Sequence, residues 1–439
     1  MKKNNYMKYF LAIDLGASSG RHVIGYKEKG EIILKEIHRF KTGMEDTEHG
    51  KSWDLQGIFK EIVEGIKVAF LKYPVIESIS IDTWGVDYVL MNGDKEILPF
   101  YAYRNERCLT ASEEVHKIIP FEELYKTTGI QFASFNTLYQ LYDDKIKGRL
   151  ECATDYLMIP SYFMYKLTGI KTHEYTNETT GALINPNTKD YAFDIIDKLG
   201  LPRKLFNKIN VPGDTVGMLK EDIAKEVGGN AKVVLCATHD TGSAFESVDV
   251  DDETVIISSG TWSLLGIKSK EAIISDTSLE ANYTNEGGVG YIRFLKNIMG
   301  MWIANQILKN KALTFEYLAR NLPLNDYQET FDVNDSSLVA PKDMEQAVKE
   351  LLKHNPPKTD LDLMNSVYKS LAVCYKNSID ELEKITGKQY KKICIVGGGA
   401  KSTYLNNLIK TITNKEVIAL PIEATCLGNI KIQMNGRTL

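Results

Sequence analysis

The segment Asp14-Leu15-Gly16-Ala17-Ser18-Ser19-Gly20-Arg21 puts a carboxylate, small residues, two hydroxyls and a guanidinium into one short turn. Small residues let backbone N–H groups close on phosphate oxygens, and the hydroxyls and the guanidinium add donors. Asp14 can orient a water on Mg²⁺, because magnesium keeps several waters and takes only one or two carboxylates. Ser258-Ser259-Gly260-Thr261-Trp262-Ser263 repeats this chemistry in the other half of the chain. One such turn alone also reads as a tight hairpin without a ligand, since short glycine motifs recur by chance. Gly397-Gly398-Gly399, after the apolar run Ile393 to Val396, can bring backbone against a flat or charged group, or simply join a strand to a helix closely.

Asp240 follows the apolar run Val233 to Ala237 and precedes Thr241-Gly242-Ser243-Ala244, which places it at a strand end beside a helix N-terminus. An Asp there can accept a hydroxyl proton in phosphoryl transfer without a strongly raised pKa; it can equally cap the helix. His239 can contact a substrate or pack. Trp84, Asp87, Arg104 and Gln131 offer the aromatic wall and placed polar groups of a sugar pocket. Their plainer readings are Trp84 as core and Asp87 with Arg104 as a surface pair. Glu286-Gly287-Gly288 and Lys296-Asn297-Ile298-Met299-Gly300 set polar residues between apolar segments, with no chemistry assignable from residue type.

The elements around these residues decide the fold. Phe10 to Asp14 reads as a strand, and Arg21 to Tyr26 and Glu31 to Arg39, split by Lys29-Gly30, as two more. The first loop therefore opens into a strand, whereas a dinucleotide fingerprint or a Walker loop needs a helix there, and the Walker Gly-Lys-Ser/Thr is missing. Trp53 to Lys72 has the period of an amphipathic helix, followed by a strand at Ser78 to Ile81. Val86 to Met91 and Ile97 to Tyr101 flank the hairpin signal Asn92-Gly93. Glu113 to Gly169 is mainly helical, with stops at Gly129 and Gly169, and reads as an insertion on an α/β core. Val255 to Ile257, the second turn and Trp262 to Ile267 repeat the opening pattern, and a helix is expected from Thr403. Paired phosphate hairpins predict an α/β fold of two actin-like (ribonuclease H-like) ATPase domains flanking a catalytic cleft, over residues 1–245 and 246–439.

At 439 residues the chain exceeds what one hydrophobic core supports. Its 43% apolar and 25% charged residues are those of a globular enzyme. No run is long enough to span a bilayer. Met1 to Tyr9 lacks the apolar core and cleavage site of a secretory signal, so a cytoplasmic location is expected. Cys108, Cys152, Cys236, Cys374, Cys394 and Cys426 form no CxxC and no zinc spacing, and are expected reduced. A net charge of -5 without a dense basic tract speaks against nucleic acid. The expected partner is a small molecule, bound by a monomer or a homodimer.

On the segments AIDLGASSGR (12–21), IDTWGVDYVL (81–90), GIQFASFNTLYQL (129–141), THDTGSA (238–244), SSGTWSL (258–264), NEGGVGYIRFLKNIMGMW (285–302) and IVGGGAKSTYLN (395–406), the chain resembles the FGGY carbohydrate kinases almost from end to end. ASSGR with TWGVD, and the KNIMG segment, separate it from the glycerol kinase and xylulokinase branches. The resemblance implies phosphorylation of L-rhamnulose at its 1-hydroxyl with ATP and Mg²⁺, in the cytoplasmic breakdown of rhamnose. It implies that Ala17, Ser18, Ser19, Gly20 and Arg21 hold nucleotide phosphates, that Gly85, His239, Asp240 and Thr241 meet the sugar, and that Asp240 is the general base. Thr261, Asn297 and a glycine of the 397–399 run, Gly398 or Gly399, would complete the ATP site, with Asn305 where the family pattern carries glutamine. In the family the helix beginning near Pro421 to Thr425 continues into further helical chain. Here it is expected to stop after Ile432-Gln433-Met434 in the tail Asn435 to Leu439, a shortening that would expose apolar surface. The rival expectations are another ketose such as L-fuculose or xylulose, an actin-like ATPase that couples hydrolysis to partner binding, and an impaired sugar- and nucleotide-binding protein.

Overall fold

A computed structural model describes residues 7–309, 311–339, 341–420 and 423–436. Strand β1 (Tyr9–Leu15) is buried along nearly its whole length, so it reads as an unbroken apolar run and not as an alternation. It turns into β2 (Ser19–Glu28) and then β3 (Glu31–Lys41), an antiparallel meander. Lys29 and Gly30 join β2 to β3 with φ of 51° and 92°, the positive pair that a two-residue hairpin needs to match strand twist. β3 ends the sheet and carries charged, largely open residues, which suits an edge.

Helix α1 (Leu55–Lys72) starts where the Asp54 carboxylate accepts the Gly57 N–H at 2.8 Å. Its buried face, Leu55, Ile58, Ile62, Ile66, Ala69 and Phe70, packs on the sheet and returns the chain to the strand Ile76–Thr83, parallel to β1. The strand Lys232–Val234 adds in parallel, and Thr215–Met218 closes that side antiparallel. The order is thus Thr215–Met218, Lys232–Val234, Ile76–Thr83, β1, β2, β3.

The described chain divides into two compact units. One takes Met1–Val248, Lys268–Phe294 and Ala424–Leu439, the other Asp249–Ile267 and Leu295–Glu423. The expected division after residue 245 lies beside the first crossing, and two later segments return to the first unit. Pro421-Ile422 and the tail Arg437-Thr438-Leu439, like Met1 to Tyr6, lie outside the described residues. The second unit repeats the pairing logic of the first. Strand Thr254–Ser259 is antiparallel to Trp262–Ser269 and parallel to Lys392–Val396, which is parallel to Glu416–Leu420. Ile292–Met299 neighbours Trp262–Ser269, where β3 neighbours β2 in the first unit. A long helix, Asp360–Thr386, makes the crossover that α1 makes in the first unit.

Within the insertion the helices Cys108–Ile118, Phe121–Thr128, Thr137–Ile146 and Ile159–Thr168 form, and Gly129 and Gly169 end theirs with φ of 68° and 76°. Two details differ from the sequence reading. Asp155–Met158 is a strand paired with Tyr88–Asn92; all four of its residues are buried, and a short apolar run does not distinguish strand from helix by period. The expected strand from Ile97 to Tyr101 stops at Ile97, since Pro99 has no N–H for a ladder. Among the described residues no cysteine is joined in a disulfide, and Cys152 is exposed.

An ionic cluster that the sequence did not announce is buried where the insertion meets the segment after it. His173 lies 3.1 Å from Asp155 Oδ1 through Nε2 and 3.1 Å from Glu178 Oε1 through Nδ1, and the Tyr156 hydroxyl donates to Glu178. Burial alone would lower the His173 pKa, but the two carboxylates outweigh it and carry it to about 9. A folded pKa raised from 6.5 stabilises fully below pH 6.5 and is lost as pH rises through about 9. The change is on the order of 3 kcal/mol. Urea midpoints should fall between those pH values for the wild type and much less for His173→Gln; identical pH profiles would refute the assignment.

Candidate functional site

In the first unit, the β1–β2 hairpin pairs Asp14 with Arg21 and Leu15 with Gly20. The Gly16 N–H donates to Ser19 O at 2.9 Å and closes the turn, and Thr42 at the end of β3 braces it by donating to Gly16 O at 2.6 Å. Ala17, Ser18 and Ser19 form the tip, Ser18 exposed and Gly20 buried. Arg21 donates from Nε and Nη2 to one oxygen, Asp14 Oδ2, at 2.9 and 2.7 Å, so this acid is already charge-paired inside the turn.

Asp14 is the register partner of Asp82 on the parallel strand. Burial pushes the Asp82 carboxyl well above the ordinary carboxylate range; the charge of Asp14 adds to this, a hydrogen bond from Asn429 at 2.6 Å opposes it, and Asp240 adds further. Asp82 Oδ1 is buried without a hydrogen-bond partner. Among the described residues no group of three His, Cys, Asp or Glu makes a metal cage. Crowded hard oxygens with an unfilled lone pair, and no cage, fit a cation that keeps its own waters, as magnesium does.

Asp240 is the first residue of the helix Asp240–Glu246, with His239 at the cap position. Thr83 N–H donates to Thr238 O at 2.9 Å and Thr83 bridges His239, so the end of the Ile76–Thr83 strand fixes where this helix begins. Fully buried Glu174 locks the same point by accepting from the Thr238 N–H at 3.1 Å and the Thr176 N–H at 2.8 Å. The Asp240 side chain keeps 32% of its surface open. Its Oδ1 accepts the Thr241 N–H at 2.6 Å. Burial raises the Asp240 carboxyl above its ordinary range; His239 and the Thr241 bonds pull against this, and Asp14 adds to it. His239 Nε2 is 3.5 Å from Asp240 Oδ1.

The strand end continues into Trp84-Gly85-Val86-Asp87. Asp87 N–H donates to Gly85 O at 2.9 Å around Val86, whose φ is 67°. A β-branched residue there costs roughly 1–3 kcal/mol and persists only where neighbours impose it. Here Thr180 Oγ1 accepts from the Val86 N–H at 3.0 Å, and Thr137 and Gln140 donate to its carbonyl at 2.8 and 3.2 Å. Asp87 is fully buried and not half of a surface pair with Arg104. It accepts from both indoles, Trp53 at 2.7 Å and Trp84 at 3.1 Å, from the Tyr103 N–H at 3.1 Å and from Gln140 at 3.1 Å. Burial raises its pKa to about 6 against those donors. Asp87 thereby aligns the stacked Trp53 and Trp84 rings, 4.1 Å apart, and Trp84 is core-like as its plainer reading had it. Arg104 lies over the Tyr103 ring, and Gln131 keeps a buried Oε1 without a hydrogen-bond partner.

In the second unit, the Gly260-Thr261 turn receives the segment after Asn297: Met301 N–H donates to Gly260 O at 3.0 Å and Trp302 N–H to Thr261 O at 3.1 Å. Gly397, at φ 83°, approaches so closely that a Cβ there would lie 2.8 Å from Ser259 O. Together these bring Thr261, Asn305, Gly398 and Gly399 to the wall of one cavity of 430 Å³. Phe315, Leu318, Leu322, Tyr368 and Tyr404 supply much of its apolar lining. Asn297 is on the strand Ile292–Met299 and is not among the lining residues. The aromatic and aliphatic walls were not singled out in the sequence, because helical spacing makes them look like core. Glu174, Gln140 and Asn429 were missed for a related reason: each works through partners remote in sequence.

Residues 9–245 match the N-terminal domain, and residues 255–436 the C-terminal domain, of the FGGY family of carbohydrate kinases. A rhamnulokinase of Oceanobacillus iheyensis is 40% identical over 433 residues, covering 97% of this chain and 92% of that protein. A rhamnulokinase of Bacillus subtilis is 36% identical over 437 residues, covering 97% and 90%. Among solved structures, the gluconate kinase from Lactobacillus acidophilus superposes with a TM-score of 0.82 at 16% identity, covering 98% of this chain and 89% of that one. Two sheets that share five strands in one order, each with a small-residue turn after its first strand, are thus matched by both domains of a single family along nearly the whole sequence, and the chain belongs to the FGGY family of carbohydrate kinases.

Proposed function

We propose that this chain transfers the γ-phosphoryl group of ATP to the 1-hydroxyl of L-rhamnulose in the cytoplasm, with Asp240 as the general base. The near-full-length identity to rhamnulokinases carries the choice of substrate. The chemistry follows from placement: a carboxylate that is partly open and held by the Thr241 N–H can take a hydroxyl proton as the oxygen attacks phosphorus. His239, Thr241 and Gly85 border the sugar, and the 430 Å³ cavity of the second unit accepts the nucleobase, a size ordinary for such ligands. Thr261, Asn297, Asn305, Gly398 and Gly399 hold the nucleotide in the second unit, and the tip of the β1–β2 turn, Ala17 to Arg21, offers phosphate donors in the first. A magnesium ion held through water by Asp14 would offset phosphate charge.

ADP formation from a panel of ketoses and polyols tests the reading. L-rhamnulose is expected to exceed L-fuculose and D-xylulose in kcat/KM by at least about tenfold, the low end of the discrimination that pocket contacts supply. Preference for either rival would move the substrate, and sugar-independent ATP hydrolysis would remove the kinase reading.

A further inference from the structure

Arg293 is one of the largest wholly buried side chains in the protein, with 0% exposure. A guanidinium out of water is costly unless it is paired and hydrogen-bonded. Its counter-charge is Glu286, with Nη1 3.1 Å from Oε2. Burial would raise the Glu286 carboxyl; the charge of Arg293 is the largest influence against it, and that carboxyl lies below its usual range. Arg293 also donates from Nε to Gly287 O at 2.8 Å and from Nη2 to Thr176 O at 3.4 Å. The remaining contact reaches the residue before the candidate base: Nη2 lies 3.2 Å from His239 Nδ1 in hydrogen-bond geometry.

A guanidinium has donors only and stays protonated, so a ring nitrogen bonded to it must be an acceptor. Glu286 Oε2 is also 3.2 Å from Nδ1 and would favour a proton there, but it lies off hydrogen-bond alignment while the Arg293 N–H is on it. We infer that Arg293, clamped by Glu286, is the positioning residue that fixes His239 as the neutral Nε2–H tautomer, so that the imidazole presents a donor toward Asp240 and the sugar. This rests on the reading of Asp240 as the base. The Nε2 to Asp240 Oδ1 separation of 3.5 Å is long for a hydrogen bond, so that proton is not committed to the base. It is free to bind a substrate oxygen beside the reacting hydroxyl, while the carboxylate keeps its lone pair for the hydroxyl proton. The other tautomer would turn an acceptor toward an acceptor and repel both.

The test is spectroscopic first. In the full chain labelled with ¹⁵N-histidine, two-bond proton–nitrogen correlations at neutral pH report each ring nitrogen, with His239 assigned by its loss in His239→Asn. An unprotonated Nδ1 with a protonated Nε2 is expected; an Nδ1–H ring or an imidazolium would overturn the inference. That readout needs no turnover, so it stands even if the kinase reading fails. The second arm removes both charges together, Arg293→Met with Glu286→Gln, leaving no buried ion unpaired. A mixed tautomer is expected, with KM for the sugar raised about tenfold, the order of one hydrogen bond, and KM for ATP within about twofold. An unchanged tautomer and an unchanged sugar KM would remove the positioning role; if the double variant does not fold, the wild-type spectrum still decides.

Discussion

Asp240→Asn is expected to lower kcat by at least about a hundredfold, the lower range of general-base contributions, while ATP affinity stays within about twofold. The substitution keeps the shape and the Oδ1 acceptor, so the Thr241 N–H at 2.6 Å remains bonded and the helix start remains in place. What disappears is the charge. Burial and Asp14 both disfavour the ionised form of Asp240, so the amide should melt no lower than the wild type and by the same physics somewhat higher, as sites that hold function at the expense of stability do. A residue serving only to hold the helix start would behave differently, because Asn keeps the Oδ1 acceptor for the Thr241 N–H and turnover would barely change. Turnover within about tenfold of wild type would therefore end the assignment. The raised carboxyl also fixes a sign: as pH falls through its pKa the base is protonated and kcat/KM drops, so the acid limb should lie above that of an ordinary Asp and should vanish in the variant.

How far the site could be read in advance depended on how local each part is. The turn from Asp14 to Arg21 and the Gly397 to Gly399 run announce themselves, since small residues at a strand end are their own signal. Asp240 was legible as a strand-end acid next to a small-residue helix. The role of Asp87 was not, because Trp53, Tyr103 and Gln140 come from separate elements and only the folded chain brings them to one carboxylate. The same holds for Arg293, which sits in a quoted motif but acquires meaning only from His239 and Thr176. On the nucleotide side the walls come from one face each of several helices. Spacing alone cannot tell a lining face from a packed one.

Gly428→Ala is expected to be the most damaging small substitution for the first unit. The helix Ala424–Asn435 lies against the helix Asp240–Glu246 and on β1, and a Cβ at Gly428 would stand 1.8 Å from Ser243 O and 2.7 Å from Ser243 C. Those atoms are backbone, so no rotamer relieves the clash and the two helices must separate. Seating is specific along the rest of the helix. Asn429 donates to Asp82, and Gln433 accepts from Ser78 at 2.6 Å and donates to Leu11 O at 3.1 Å. Ile430 fills the space beside Gly25 that any side chain on β2 would take. Overpacking costs about 1–3 kcal/mol where side chains can adapt, and a backbone contact belongs at or beyond the upper end. For a unit of this size that means melting roughly 5–10 °C lower. Gly43→Ala is the matched control, since a Cβ there meets nothing within 4 Å, and it should stay within about 0.5 kcal/mol of wild type. The separation is transmitted to function through one residue: Asp240 opens the helix that must move, so kcat should fall together with the melting temperature in Gly428→Ala and with neither in Gly43→Ala. Scanning calorimetry and ADP release on both variants decide it, and a Gly428→Ala protein that melts within a degree or two of wild type would mean the helix is not held against Ser243 in solution.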